Sequence, residues 1–442
     1  MVTDMTVGTP SKLLWKFSIP ILFSVVFQQL YGIVDSVVAG QFIGEDAVAA
    51  IGASYPITMI FMAFATGLNG GCSVVISQLF GARQFDKMKE GISTSLISSA
   101  IICVMLMGLG FISCSTFMHL LNTPSNIFSD AMVYLNVYIA GLLFLFLYNI
   151  CNGIFTALGD SKTPLYFLIA SSIGNIILDL VFVIQFHMGV AGVAWATFIA
   201  QGSASILAVV VLMKRVRKIE SGPYKKYSYE MMRKMSRIAV PSILQSSFVS
   251  VGSLLIQGLI NSYGSEVIAG YSIAIKLNTF AVTSFNTMAS GLSSFAAQNI
   301  GAGKTERVKQ GFRTCVGMSV IVILPFLIAY LVFGRSVISL FVSNGSEAAI
   351  QVGIEFLYIV APFYFVLLVK LLGDSVLRGG GVMGQFMITT FSDLVIRVIL
   401  SFLFASIWGA TGIWFSWPVG WTIGTVLSFL FYKSGKWEHG YK

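Results

Sequence analysis

The chain has 442 residues, 56% hydrophobic and only 10% charged, with a mean hydropathy of +0.85 and a formal net charge of +9. That balance excludes a soluble domain with a polar shell and points to a polytopic membrane protein. The basic excess would suit nucleic acid, but the basic residues sit in short segments between apolar runs, which excludes that partner.

Twelve apolar runs follow one another at 13–38, 47–75, 92–115, 131–157, 165–186, 190–213, 237–262, 267–292, 312–334, 352–378, 383–406 and 410–432. Each is long enough to cross a bilayer as a helix. None alternates as a barrel strand does, so the expected class is an all-α polytopic membrane protein with 12 transmembrane helices. The first run is longer than the apolar region of a signal peptide and is followed by no small-residue cleavage site, so it reads as a retained helix. All basic residues except Lys276, Arg335, Lys370 and Arg397 fall on one side of these spans. By the positive-inside rule both termini are cytoplasmic and the protein is a multi-pass protein of the cell (inner) membrane.

Taken in chain order, the first run carries one carboxylate, Asp35, with no basic residue within helical reach. Gln28, Tyr31 and Asp35 are spaced i, i+3 and i+7, which places them on one helix face. A charge in the hydrocarbon core costs about 2.5–3.5 kcal/mol on insertion scales, so Asp35 needs a polar cavity, a partner or a proton. The fourth run repeats the pattern with Asn149, Asn152 and Thr156, the fifth with Ser171, Asn175 and Asp179, the sixth with Thr197 and Gln201. Interhelical hydrogen bonding accounts for isolated amides; it accounts poorly for two acids with no intramembrane cation in the same half.

The later runs differ. The seventh has no acid. Lys276 lies well inside the eighth, with three readings open: snorkelling, facing a cavity, or pairing with Asp374 or Asp393. In the tenth, Lys370, Asp374 and Arg378 form an i, i+4 ladder, as do Asp393 and Arg397 in the eleventh, so self-pairing is the cheaper explanation of those charges. Lys276, Asp374, Asp393 and Arg397 remain second-half candidates. Cys72, Cys103, Cys114, Cys151 and Cys315 all lie in apolar runs at unrelated spacings and read as buried thiols. His119, His187 and His439 offer no zinc or haem arrangement. No phosphate-binding glycine loop is present, so nucleotide drive within this chain is excluded.

The chain also repeats itself. Pro20 matches Pro241, and Gly44–Ala49 matches Gly264–Ala269. Gly71, Ser73, Gln78, Gly81, Ala82, Lys89 and Gly91 match Gly291, Ser293, Gln298, Gly301, Ala302, Lys309 and Gly311, while Gly189 and Gly192 match Gly409 and Gly412. Residues 1–213 and 237–442 are therefore read as two six-helix, pseudo-symmetric lobes around a central cavity, joined by a basic cytoplasmic linker, 214–236. Six helices per copy give both lobes the same orientation, which suits alternating access.

With Asp35 in the first helix, the chain resembles the multidrug and toxic compound extrusion (MATE) family over essentially its whole length. The motifs that carry the resemblance are Ser77-Gln78-x-x-Gly81-Ala82 and its echo Ala297-Gln298-x-x-Gly301-Ala302, Gly159-Asp160-x-x-Thr163-Pro164, Asn175-x-x-x-Asp179, and Arg378-Gly379-x-Gly381. The resemblance implies a proton or cation site at Asp35, Asn149, Asn175, Asp179 and Thr197, with Na+ as the alternative ligand at Asp35, Asn175 and Asp179. It implies substrate contacts at Gln28, Tyr31 and Asn152. Another branch of the family couples to sodium through acids in helices seven and ten; here helix seven offers Gln245, Ser246 and Gln257, and Asp374 does not match by its distance to Arg378.

The expected function is a secondary active antiporter, not an enzyme, exporting amphipathic or cationic organic compounds in exchange for H+ or Na+. No cofactor beyond the coupling ion is expected; the partners are the lipid bilayer and small organic substrates, with the chain acting as a monomer. A lipid-linked oligosaccharide flippase of the same superfamily is one rival, disfavoured by the acidic first lobe. A major-facilitator transporter is another, suggested by Gly81-Ala82-Arg83-x-x-Asp86-x-x-Lys89, but the repeat of that loop and the intramembrane Asp35 favour the first reading.

Overall fold

The computed structural model describes residues 3–341 and 347–440. Within the first helix the side chains of Ile33, Asp35, Ser36, Val37 and Ala39 lie outside that description, and the Asp35 carboxylate with them. The described residues form helices and connecting turns, with no strand among them. In chain order the helices are α1 (Pro10–Phe42), α2 (Glu45–Gly81), α3 (Phe85–Leu120), α4 (Ser125–Ala140), α5 (Leu142–Ala157), α6 (Lys162–Leu180), α7 (Gly189–Arg217) and α8 (Tyr229–Asn261). Then come α9 (Ser265–Gly301), α10 (Thr305–Leu327), α11 (Gly334–Ser339), α12 (Glu347–Val360), α13 (Tyr364–Gly379), α14 (Met383–Trp408) and α15 (Ala410–Lys433).

Eleven spans are long and apolar enough to cross a membrane, or twelve when α4 and α5 count as one span bent by 48°. The bend falls at Gly141. At the corresponding place in the second half, α12 and α13 are separated by a 3-10 turn, Ala361–Phe363. Pro362 within that turn has no N–H to donate, so an α-helix is interrupted there. The offset between Gly141 and Ala361 is the one that relates the sequence repeats. Three connecting positions obey it too: Gly44 and Gly264 have φ of 127° and 92°, Arg83 and Gly303 56° and 71°, Gly189 and Gly409 57° and 65°. Arg83 accepts a left-handed conformation that its counterpart assigns to glycine.

Packing divides the chain into two compact units. The first holds the chain up to Asp4 together with Ile19–Ile243; the second holds Met5–Ser18 and Leu244–Lys442. These units depart from the sequence halves at the leading ends of α1 and α8. Glycine is the local cause. At Gly67 and Gly71 a Cβ would come within 2.3 Å of Ile243 and 2.6 Å of the Met235 carbonyl, so only glycine admits α8. Gly291 does the same for Ser18 at 2.8 Å. The linker is helical at both ends, leaving 218–228 between α7 and α8. Its Gly222 N–H donates to Asp86 Oδ1 (2.6 Å) and its Ser228 N–H to Thr94 Oγ1 (3.0 Å).

The first unit's core is largely aliphatic with two phenylalanines, built by Ile57, Phe61, Cys103, Leu135, Ile139 and Phe146 from α2 to α5. The second unit's core is aromatic, with Tyr271 stacked on Trp414 at 5.3 Å and Phe285 edge-on to Tyr364 at 5.3 Å. The buried Tyr364 hydroxyl donates to Asn278 Oδ1 at 3.1 Å, the partner such a phenol needs. The N-terminal segment belongs to this unit: Met5 N–H donates to Gln298 Oε1 (2.9 Å), and Asn299 Nδ2 and Lys304 Nζ donate to the carbonyls of Met5 and Thr6. The second copy of the Gln-x-x-Gly-Ala motif thereby anchors backbone.

Candidate functional site

Within the first unit the residues of interest lie on α1, α5, α6 and α7. Asn175 and Asp179, four residues apart on α6, are 2% and 0% exposed. Their shared face follows from helical spacing, and no lysine or arginine occurs between Thr163 and Met213. Both polar atoms of the Asn175 amide are buried without a hydrogen-bond partner among the described residues. A buried amide left in that condition costs about 1–3 kcal/mol, a cost that a bound ligand or water would offset.

α7 packs against both α5 and α6, so the helices bearing Asn149, Thr197 and the Asn175–Asp179 pair are neighbours. Asn149 and Thr197 are half-buried. The Asn149 Nδ2 donates to the Leu145 carbonyl at 2.9 Å, which leaves its amide oxygen available to a ligand. Asn152 and Tyr31 are half-buried and Gln28 is exposed on α1, placements compatible with contact to a solute. Thr156 spends its hydroxyl on the carbonyls of Asn152 and Gly153, and Ser171 on that of Leu168, so both are internal to their own helices.

The Gly-Asp-x-x-Thr-Pro motif has a structural task. Asp160 Oδ1 accepts from the N–H groups of Lys162 and Thr163, each at 3.1 Å, satisfying donors at the start of α6. Its other oxygen accepts from the Thr163 hydroxyl at 2.8 Å and from Arg215 at the end of α7. The motif thus ties α6 to α7 near one end of the Asn175–Asp179 face.

The second unit holds a different arrangement. Lys370 and Asp374 on α13 and Asp393 on α14 are 4%, 4% and 5% exposed. Lys370 Nζ lies 3.2 Å from Asp374 Oδ2 and 3.4 Å from Asp393 Oδ2, and Arg397 lies 3.6 Å from Asp393 Oδ1. Thr389 donates to Asp374 Oδ1 at 2.8 Å. The same-helix pairings expected from spacing are present for Lys370–Asp374 and Asp393–Arg397, whereas Arg378 forms no ion pair with Asp374 among the described residues. The cross-helix Lys370–Asp393 pair has no signature in the sequence. It exists because α15 lets the side chains in: a Cβ on Gly424 would stand 2.5 Å from Lys370 Cε, and one on Gly420 2.7 Å from Asp393 Oδ1. Two acids and two bases therefore neutralise one another, with Arg397 stacked over Trp417 at 4.6 Å.

Lys276 on α9 does not join this cluster. It is exposed and makes no ion pair or hydrogen bond among the described residues. One acid escaped the sequence reading: Glu355 on α12, half-buried, accepts from Thr411 Oγ1 at 2.7 Å. A carboxylate inside the tenth apolar run was the available signal.

Residues 20–181 and again 241–403 match the family model MatE. The chain is 29% identical over 436 residues to the probable multidrug resistance protein YpnP of Bacillus subtilis, a match covering 98% of this chain and 97% of the relative. Its fold is shared with a MOP superfamily transporter from Pyrococcus furiosus, at TM-score 0.92, 21% identity and coverage of 98% and 97%. It is shared equally with an outward-facing multidrug resistance MATE family transporter, at TM-score 0.91, 22% identity and 98% of both chains. The family model finds each half once, at places where the backbone also repeats its turns and its bent span; the chain belongs to the MatE family, whose members are membrane transporters and not enzymes.

Proposed function

We propose that the chain is a secondary antiporter that exports amphipathic organic compounds, cationic ones included, in exchange for protons or sodium ions. The reading rests on one observation above the others: a fully buried carboxylate, Asp179, one helical turn from a buried amide with no partner among the described residues. A soluble core avoids that pair; a site that loads and unloads a small cation needs it. The carboxylate supplies charge, the Asn175 and Asn149 oxygens supply neutral ligands, and a proton can take the cation's place on the acid alone. Asp35 joins the site in this reading as the second acid, from α1.

Exchange follows from charge. With the acids ionised, the unit attracts a cation or a cationic solute; loading the coupling ion removes that attraction and releases the solute. Each coupling charge that crosses the membrane contributes about 2.3 kcal/mol per 100 mV. The basic segments lie on the cytoplasmic side of the cell membrane, with both termini, so export runs away from them. In proteoliposomes at fixed pH, ethidium efflux driven by an imposed sodium gradient would assign Na+, and efflux driven only by a pH gradient would assign H+. Asp179→Asn or Asp35→Asn should lower efflux at least tenfold with expression intact; undiminished efflux in both variants overturns the site.

A further inference from the structure

We propose that α9 forms a wall in the second unit that binds the anionic group of an amphipathic substrate, with Lys276 as its counter-charge; this deepens the exporter reading and rests on it. Beyond its first turn, the exposed residues of α9 are Ala269, Lys276, Thr279, Asn286 and Ser290, and the half-buried Ser272 and Thr283 fall on the same line. Successive gaps of three or four residues make one stripe, about 30 Å long at 1.5 Å per residue.

The rest of the helix exposes no large apolar side chain, its Ile275, Phe280 and Val282 being half-buried. Among the described residues no large hydrophobic side chain is exposed between Leu255 and Val320, whereas α10 exposes Val320, Ile321 and Leu324 and α2 exposes Val48, Tyr55 and Ile60. A span whose exposed face is small and polar turns that face to water, because hydrocarbon offers hydroxyls and amides no partners. Lys276 lies ten residues past the exposed Glu266, about 15 Å along the helix and so about half of a 30 Å hydrocarbon core. That depth is too great for a four-carbon stem to carry the ammonium to the interface. Asp374 and Asp393 in the same unit are already taken by Lys370 and Arg397, Glu355 is engaged by the Thr411 hydroxyl, and Lys276 forms no ion pair with any of the three among the described residues.

The fold itself does not require this stripe. In α2, the repeat's other copy, the seven positions are Ala49, Gly52, Pro56, Met59, Ala63, Thr66 and Gly70, with no charge and one hydroxyl. The Thr283 hydroxyl is spent on the Thr279 carbonyl (2.7 Å), but an ammonium flanked by the Thr279 hydroxyl and the Asn286 amide recognises an acceptor-rich anion such as a carboxylate or sulfonate. The substrate class is an amphiphile bearing such a group, as an anion or as one end of a zwitterion.

The test uses the full chain in proteoliposomes with 11-(dansylamino)undecanoate, its uncharged methyl ester, and ethidium. Wild type should export the carboxylate at least tenfold faster than the ester; Lys276→Met should abolish that preference and Lys276→Arg should keep it. Ethidium export by wild type with an equal carboxylate-to-ester ratio in wild type and Lys276→Met overturns the wall alone. No export of any of the three compounds by wild type overturns the exporter reading instead. Should Lys276→Met fail to fold, Thr279→Cys and Asn286→Cys provide the second arm, since the five native cysteines are buried. Both should react with a charged methanethiosulfonate and be protected by the carboxylate, while the lipid-facing Ile321→Cys should not react. Unreactive thiols at 279 and 286 overturn the proposal.

Discussion

The two repeats share a backbone and oppose one another in chemistry. Turns with positive φ recur at Gly44 and Gly264 and at Gly189 and Gly409, and the break at Gly141 recurs at Ala361–Phe363. Their charges do not recur. The first unit buries Asp179 beside an unsatisfied amide, with no lysine or arginine between Thr163 and Met213. The second buries Asp374 and Asp393 and neutralises them with Lys370 and Arg397. A turn or a bend is demanded by chain geometry in both copies, whereas a buried charge is costly and is retained only with a partner or a task. The acids of the second copy hold helices together; the buried acid of the first is the one to which the proposed exporter reading assigns a task.

The contrast extends to small residues. The α15 positions that admit the charged cluster are Gly420 and Gly424; their counterparts in α7 are Ala200 and Ala204. At these two positions glycine stands in the copy where the charged cluster lies against the helix backbone. This explains two glycines that propensity alone would count against a helix.

The sharpest way to break the comparison is Lys370→Met. It leaves Asp374 and Asp393 buried with one base fewer, which costs about 3–5 kcal/mol when a buried pair loses a partner. A large drop in the temperature at which the detergent-solubilised protein loses monodispersity is expected, partly restored by adding Asp393→Asn; an unshifted transition would mean that the cluster is not structural. Next, Gly424→Ala should cost about 1–3 kcal/mol by overpacking Lys370, while Ala204→Gly in the first unit should cost only about 0.5–1 kcal/mol through helix propensity. Equal losses in the two units would dissolve the distinction. The smallest effect belongs to Arg83→Gly, which relieves φ of 56° at the price of an exposed 4.0 Å contact with Asp4. A gain of about 1 kcal/mol or less is expected, read from the same thermal transition.

Much of this was legible before folding. Apolar runs marked all twelve spans, and offset matches marked the repeat, because bilayer thickness and chain duplication both write themselves along the sequence. The i, i+4 pairs Lys370–Asp374 and Asp393–Arg397 were legible for the same reason that Asn175 and Asp179 could be set on one face. The Lys370–Asp393 pair was not, nor was the anchoring of Met5 by Gln298, because both join residues far apart in sequence. The polar spacing on α9 was present in the letters, but spacing identifies a stripe without saying whether it faces a neighbour, lipid or water.

By itself, then, the sequence determined the membrane class, the number of spans, the duplication and the kinds of residue each span carries. Tertiary structure decided which of those residues are spent on one another: it buried Asn175 beside Asp179, closed Asp393 onto Lys370 through two glycines, and left Lys276 exposed. The division has a physical cause. Periodicity reports neighbours on the same helix, where geometry is set by 3.6 residues per turn, while the rotation of each helix and its choice of partner emerge from many weak packing contacts summed over the whole unit.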